Sequence, residues 1–314
     1  INPAGLVDVV PSISGYVGGD ITSDLYVSGM DLGRSNALLI DLGTNGEIAV
    51  SRGDRMWASA TAAGPAFEGG RIRCGMRACI GAIEHVRIDP ERFEARCDVI
   101  GDVAPIGLCG SGLIDLLAEA RRVGLMDEAG RFNKSLLGRS DRLRPAGGRR
   151  SGTVEYVVVP RDQTEDGQTD ITVDEQDVAA LLQAKAATYA GITILLNCAG
   201  LSRNDLDAVY LVGGFARHIN LRSAVAIGLL PDVPLDRCHA LGNGSLGGAV
   251  AGLVDHQAWE QFERITALPK VIELNTVPEF QDEFISAMFL PHLITDRFPS
   301  VKFNAGPSPR DGTG

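Results

Sequence analysis

The chain of 314 residues is 45% hydrophobic and holds 38 glycines, which fits one large or two ordinary globular domains and excludes a disordered chain. Its formal net charge of −11 opposes broad electrostatic capture of nucleic acid or of acidic membranes, both of which need a basic face. No apolar stretch approaches the length of a bilayer span, so no membrane partner is expected.

The first residues, Ile1-Asn2-Pro3-Ala4-Gly5, lack an initiator Met, a basic n-region and an apolar h-region, and they read as the middle of a longer chain. Ile13-Ser14-Gly15-Tyr16-Val17-Gly18-Gly19-Asp20 is a Gly-rich turn before a short helix over 21–30. Asp20 stands where an N-cap belongs, and capping explains it; facing a ligand is the other reading.

Residues 38–50 organise the rest. An apolar run, Leu38-Leu39-Ile40, ends in Asp41, and a polar turn leads through Gly43, Thr44, Asn45 and Gly46 into a second apolar run. The spacing predicts a hairpin, and Asn45-Gly46 suits a turn that needs positive φ. Gly43 lacks a Cβ, so its amide can approach a ligand, and successive turn amides can form an anion nest. Asp41 repels phosphate but can hold a hydrated Mg²⁺ that bridges to phosphate oxygens. The alternative is an ordinary hairpin with a solvated Asp at its rim.

A small-residue strand over 58–63 ends in Gly64-Pro65-Ala66-Phe67-Glu68-Gly69-Gly70, where Glu68 either orients water near a terminal phosphate or is a solvated loop acid. Short strands are expected over 71–107. Gly110-Ser111-Gly112 then opens a helix with the apolar face Leu113, Leu116, Leu117 and Ala120, an entry that suits an anion and equally suits plain helix initiation. Residues 127–152, rich in Arg and Gly, predict an exposed, mobile excursion whose loss leaves the fold intact. A β-branched strand follows over 154–159.

The longest helix is expected over 174–199, with Asp174 and Asp177 capping it and Gly200 ending it. Lys185, its one basic residue, either reaches a nucleotide or snorkels to solvent. Next, Asp207 to Val212 reads as a buried strand running into Gly213-Gly214-Phe215-Ala216, and two glycines at a strand's carboxyl end admit a flat ligand. Leu241-Gly242-Asn243-Gly244-Ser245-Leu246-Gly247-Gly248 contains a formal G-x-G-x-x-G. With no hydrophobic strand before it and no acid at the required distance after it, close helix packing is expected there instead of dinucleotide binding. The chain divides as 1–260 and a 261–314 extension, in which 277–290 docks and 304–314 is disordered. The six cysteines form no C-x₂-C pair and read as reduced cytoplasmic thiols, and the five scattered histidines do not suggest a zinc catalyst.

The Asp-Leu-Gly-Thr-Asn-Gly hairpin, the strand ending in Val-Gly-Gly-Phe-Ala and the small-residue closing helix together resemble the second half of the actin-like ATPase superfamily. That superfamily includes sugar kinases and heat-shock chaperones. The resemblance implies an α/β, RNase H-like mixed sheet flanked by helices. It makes Asp41 to Glu47 the second phosphate loop, Gly213 to Ala216 the adenosine motif and Gly242 to Gly252 the second connecting helix. Ile13 to Asp20, Ala62 to Gly70, Gly75-Met76-Arg77-Ala78, Cys109 to Asp115 and Leu182 to Ala187 narrow the likeness to the reductive activators of corrinoid-dependent proteins.

That family implies ATP with Mg²⁺, an upstream ferredoxin-like [2Fe-2S] domain, a homodimer, and docking on the corrinoid protein of a methyltransferase system to reduce Co(II) to Co(I). The implied catalytic residues are Asp41 and Glu68, and Asp41 carries the metal through water. Gly43, Thr44, Asn45, Gly46, Gly213, Gly214, Phe215, Gly242 and Asn243 are implied nucleotide contacts, as are Gly110, Ser111, Gly112 and Lys185 from the middle of the chain. The superfamily clamps ATP between two phosphate loops and this sequence has one Asp-x-Gly-Thr, so half of an ATPase-type nucleotide site is expected here. The alternatives are an activator of a radical dehydratase and a non-catalytic dimerisation or docking module.

Overall fold

The computed structural model describes residues 5–33, 35–43, 45–147, 152–214 and 216–303. It divides into two compact units. The first comprises Ile1–Thr61, Gly191–Arg217 and Val233–Phe280, and the second Ala62–Ala190, His218–Asp232 and Gln281–Gly314.

The first unit is built on a six-stranded mixed sheet. Strands β1 (Ala37–Asp41), β2 (Gly46–Arg52) and β3 (Arg55–Thr61), apolar runs buried on both faces and joined by short turns, form an antiparallel meander. In chain order β4, β5, β6, β7, β8 and β9 belong to the second unit; β10 (Ala208–Val212) then lies parallel to β1, and β11 (Cys238–Gly242) parallel to β10. The sheet order is β11-β10-β1-β2-β3-β12, the last being Pro269–Val271 parallel to β3. The expected break at residue 260 therefore falls inside the unit: β12 is paired sheet.

Helix α1 (Gly19–Ser28) covers one face of this sheet, burying Val17, Ile21 and Leu25 with Leu39, Ala49, Ala58 and Val212. Helix α5 (Gly244–Val254) packs on α1, and α6 (Gln257–Thr266) closes the layer with Phe262 edge-on to Tyr26 at 5.1 Å. On the other face Gly191 brings helix α3 (Glu175–Ala199) so close that an added Cβ would sit 2.9 Å from Ile48 and 3.3 Å from Leu274. The capping of α3 is as expected. Asp174 accepts from the amides of Gln176 and Asp177, Asp177 accepts from that of Asp174, and Gly200 ends the helix at φ +64. By length and composition α3 does reach membrane-span dimensions, contrary to the sequence expectation, but 78% of its apolar window is buried in the fold. It is a core helix.

The second unit carries two three-stranded sheets. One has the order β5-β4-β6, from Ala95–Val99, Ala82–Ile88 and Gly107–Leu108; the other is β7-β8-β9, from Leu143–Pro145, Val154–Val159 and Ile171–Asp174. Helix α2 (Gly110–Arg122) packs on β4, and α4 (Leu221–Ala226) on α2. Helix α7 (Phe280–Ala287) leads into a closing segment in which Leu290 and Phe298 are buried; within 277–290 only Ala287 and Leu290 are buried. Residues 304–314 lie outside the described residues.

Most residues of 127–147 are exposed, as their composition predicts, but the stretch is anchored to the fold. It supplies β7 and buries Phe132, Leu143 and Ala146, while Glu128 accepts from the Leu290 amide and Glu175 from that of Phe132. Arg144 adds to the anchoring, holding Glu155 at 2.8 Å and Asp170 at 2.7 Å. Residues 148–151 are outside the described set. Deleting 127–147 is accordingly expected to remove cooperative unfolding of the second unit, since truncating a buried Phe alone costs about 3–5 kcal/mol. A urea melt of the deletion variant checks this, and a transition as sharp as the parent's contradicts it.

Candidate functional site

In the first unit β1, β10 and β11 run parallel, so their carboxyl ends emerge side by side, where ligands of open α/β sheets bind. Asp41 ends β1, Gly213 follows β10 and Gly242 ends β11. Backbone bonds tie the three together: Leu42 donates to Val212 and Gly213 donates to Gly242, each at 3.0 Å. Gly213 adopts φ +110, and an added Cβ would lie 2.9 Å from Asp41 Oδ1; Gly214 has nothing within 4 Å of that position and is exposed. Glycine is demanded at 213 by backbone and space, and at 214 by nothing within the chain.

The hairpin loop runs over 42–45 between paired Asp41 and Glu47, with Asn45 exposed and Gly46 the first residue of β2. Gly43 and Gly46 do not take positive φ, because a four-residue connection does not need the two-residue I′ turn that Asn-Gly favours. Thr44 and Phe215 lie outside the described residues. Asn243 caps α5, its side chain accepting from the Leu246 amide at 2.9 Å, and Arg217 lies across Gly242 with its guanidinium exposed and 3.4 Å from the Leu241 carbonyl. β11 does precede the formal G-x-G-x-x-G, as a half-exposed edge strand with little apolar character. The glycines after it serve packing: Cβ atoms at Gly244 and Gly248 would strike Asp24 and Ser23 of α1.

Asp41 and Glu47 oppose each other across the hairpin at the end of the face that α1 covers. Asp20 and Asp24, one helical turn apart on α1, meet them there. The N-cap of α1 is Gly18, not Asp20; the carboxylate of Asp20 instead lies with those of Asp41 and Glu47, their nearest oxygens within 4.8 Å of one another. Asp24, Asp41 and Glu47 are all buried. Burial, then the charges of Asp20 and Asp41, push the Glu47 carboxyl up to about 8. Burial, then Asp41, raises Asp24 well above the usual carboxylate range. The first residue of α5 adjoins Asp24, so the positive end of that helix offsets part of the crowding. Four clustered carboxyls describe a site that holds either protons or a cation. An all-oxygen donor set suits Mg²⁺ or Ca²⁺, and the bare glycine backbones at 213 and 242 suit a nucleotide's flat face.

Of the residues singled out from the sequence, Asp41, Gly43, Gly213, Gly214, Gly242 and Asn243 lie at these strand ends. Glu47, included only as the end of the phosphate loop, and Asp24 and Arg217, not singled out, lie there too; the i, i+4 spacing of Asp20 and Asp24 and the cross-strand position of Glu47 were there to be read. The remaining candidates belong to the second unit. Glu68 ends a 3₁₀ turn, Pro65–Glu68, and is half-buried. Gly110, Ser111 and Gly112 are buried, and a Cβ at Gly112 would run into the Ile83 carbonyl, so this entry packs α2 onto β4.

Lys185 corrects both of its readings. It is fully buried, and its Nζ donates to the carbonyls of Phe289 at 2.6 Å and Pro291 at 2.7 Å, pinning the closing segment. Burial drives its pKa well below the ordinary lysine value, against a small opposing pull from Glu283. Above that lowered pKa and below the unfolded one the unfolded chain binds the extra proton, so this residue makes stability rise with pH. Lys185→Met is expected to flatten that rise between neutral pH and about 10; urea melts of both proteins across the range measure it.

Comparison with known proteins agrees with this architecture. Residues 35–302 match the family model described as the C-terminal domain of RACo, the ASKHA domain. The chain is 35% identical over 289 residues to the corrinoid activation enzyme RamQ of Eubacterium limosum, covering 91% of this chain and 47% of that protein. It is 26% identical over 245 residues to the [Co(II) methylated amine-specific corrinoid protein] reductase of Methanosarcina barkeri, covering 71% and 40%. The solved reductive activator for corrinoid, iron-sulfur protein superposes with a TM-score of 0.90 at 38% identity, over 96% of this chain and 47% of that one. The chain thus spans about half the length of these relatives. With its mixed sheet, glycine-lined strand ends and hairpin acid, it belongs to the family of the C-terminal domain of RACo, the actin-like ASKHA domain.

Proposed function

We propose that this chain is the nucleotide-binding and docking region of an ATP-dependent activator that returns an inactive Co(II) corrinoid protein to Co(I). The observation that carries the nucleotide part is the convergence of Asp41, Gly43, Gly213 and Gly242 on three adjacent parallel strand ends. Phosphates take the amides of the hairpin loop, Asp41 holds Mg²⁺ through water, and the adenosine lies along Gly213, Gly214 and Gly242 beside Arg217. The names of the relatives supply the corrinoid part.

Reducing Co(II) to Co(I) consumes one electron, which an iron-sulfur centre outside the described residues supplies in this reading. Nucleotide contributes by population shift: it must favour the docking-competent state over the other to drive anything. The corrinoid protein served is that of a methyltransferase system, for which Co(I) is the methyl acceptor.

The test mixes the complete encoded protein with a Co(II) corrinoid protein and a reductant under anaerobic conditions. Co(I) absorbance is expected to grow with Mg-ATP and to stay flat without nucleotide. Equal growth in both arms contradicts the reading.

A further inference from the structure

We propose that Glu47 is a direct ligand of a divalent cation that the first unit captures by itself, ahead of any nucleotide, between α1 and the β1–β2 hairpin. The proposal takes from the nucleotide reading only the identity of what arrives next; the site itself is built from residues of this unit.

The placement comes from register. Asp41 and Glu47 are cross-strand partners on the buried face, where like charges directly opposite are destabilising unless something lies between them. Asp20 reaches the same point from α1, and three oxygens no more than 4.8 Å apart put a central ion no farther than about 2.8 Å from each. That is one small closure away from the 2.3–2.6 Å of Ca²⁺ coordination, or a larger one from the roughly 2.1 Å of Mg²⁺.

The second observation is Asp24. It is 1% exposed, and apart from the Asp41 carboxyl against which it lies, neither of its oxygens has a hydrogen-bond partner among the described residues. No Lys, Arg or His forms an ion pair with Asp20, Asp24 or Glu47 among the described residues. A buried carboxyl with no donor is costly to keep. Here it adds a fourth carboxyl behind the three outer acids, an oxygen-rich lining for which a small, hard cation is the complementary guest. Glu47 is the ligand that makes the site independent of phosphate, because with Asp20 and Asp41 it provides three protein oxygens where Asp41 alone would hold an ion only through water and nucleotide.

Mn²⁺ is the probe, titrated into the complete encoded protein after chelator treatment, without nucleotide, and followed by the loss of the free-ion EPR signal. One bound Mn²⁺ is expected in the parent. Glu47→Gln should bind about tenfold more weakly or worse, whereas Asp54→Asn, in the β2–β3 turn, should match the parent. Thermal melts guard against misfolding: without cation, Glu47→Gln should be at least as stable as the parent, and added Mg²⁺ or Ca²⁺ should raise the parent's midpoint but not the variant's. Mn²⁺ binding only when ATP is present, or equal binding by Glu47→Gln, overturns the proposal and leaves the nucleotide reading standing. Mn²⁺ bound by the parent with no ATP binding in either state does the reverse.

Discussion

Gly248→Leu is expected to cost the first unit about 3 kcal/mol or more and to leave it largely unfolded at temperatures where the parent is folded. The reason is the separation of α1 and α5. At Gly248 even a Cβ would lie 2.3 Å from that of Ser23 and 2.8 Å from its Cα, so the new side chain meets backbone with no room to rotate away. Gly247 faces Val27 at 3.0 Å, and Gly244 faces Asp24, so the two helices touch along one glycine edge. Gly15→Ala, with nothing within 4 Å, is the control and should fall within about 0.5 kcal/mol of the parent. Circular-dichroism melts of both variants decide it: a Gly248→Leu midpoint matching the parent's would mean that the helices separate without penalty.

The same edge joins stability to chemistry. Because α5 carries no side chain at Gly244, α1 lies close enough for Asp24 to reach the end of the sheet face under which Asp41 and Glu47 meet. A helix spaced by larger residues would lift Asp20 and Asp24 away from the hairpin. The glycines that looked like a dinucleotide loop therefore act on the site at one remove, by setting where α1 lies.

How much of this was legible follows the range of the interactions. The hairpin, the strand into Gly213-Gly214 and the capped helix over 175–199 are written in local periodicity and in turn and cap residues, and each is found. The glycine packing of α5 was legible for the same reason, since small residues at i and i+4 form one edge. The anchoring of 127–147 was not legible, because Arg144 finds its partners on β8 and just before β9, a pairing that no local pattern displays. Lys185 was misread similarly. Its partners are backbone carbonyls 104 and 106 residues away, and carbonyls leave no mark in a sequence. Asp20 is the instructive case: its cap reading rested on a sound preference, and the helix simply begins two residues earlier. Once it does, the carboxylate is free to face Asp41 and Glu47.

Asp41→Ala should weaken Mg-ATP binding by about tenfold or more, roughly 1.4 kcal/mol, and leave ATP binding without metal unchanged or slightly improved. The carboxylate acts on phosphate only through a cation; without one it is a like charge beside the ligand, and removing it relieves repulsion. Gly214→Val should behave differently. A side chain there meets nothing in the chain, so the fold is unaffected, yet it occupies the backbone approach beside the strand end and should weaken ATP equally with and without Mg²⁺. Gly213→Val separates the two effects, because φ +110 and the contact with Asp41 make glycine a requirement of the fold at that position. That variant should lose stability before binding can be measured. Calorimetric titrations of the complete encoded protein with ATP, with Mg²⁺ and with chelator, read the first two variants, and a thermal melt reads the third. Equal losses for Asp41→Ala in both titrations would remove the metal from that residue's role. A metal-dependent loss for Gly214→Val would place its backbone beside the phosphates, not the adenosine.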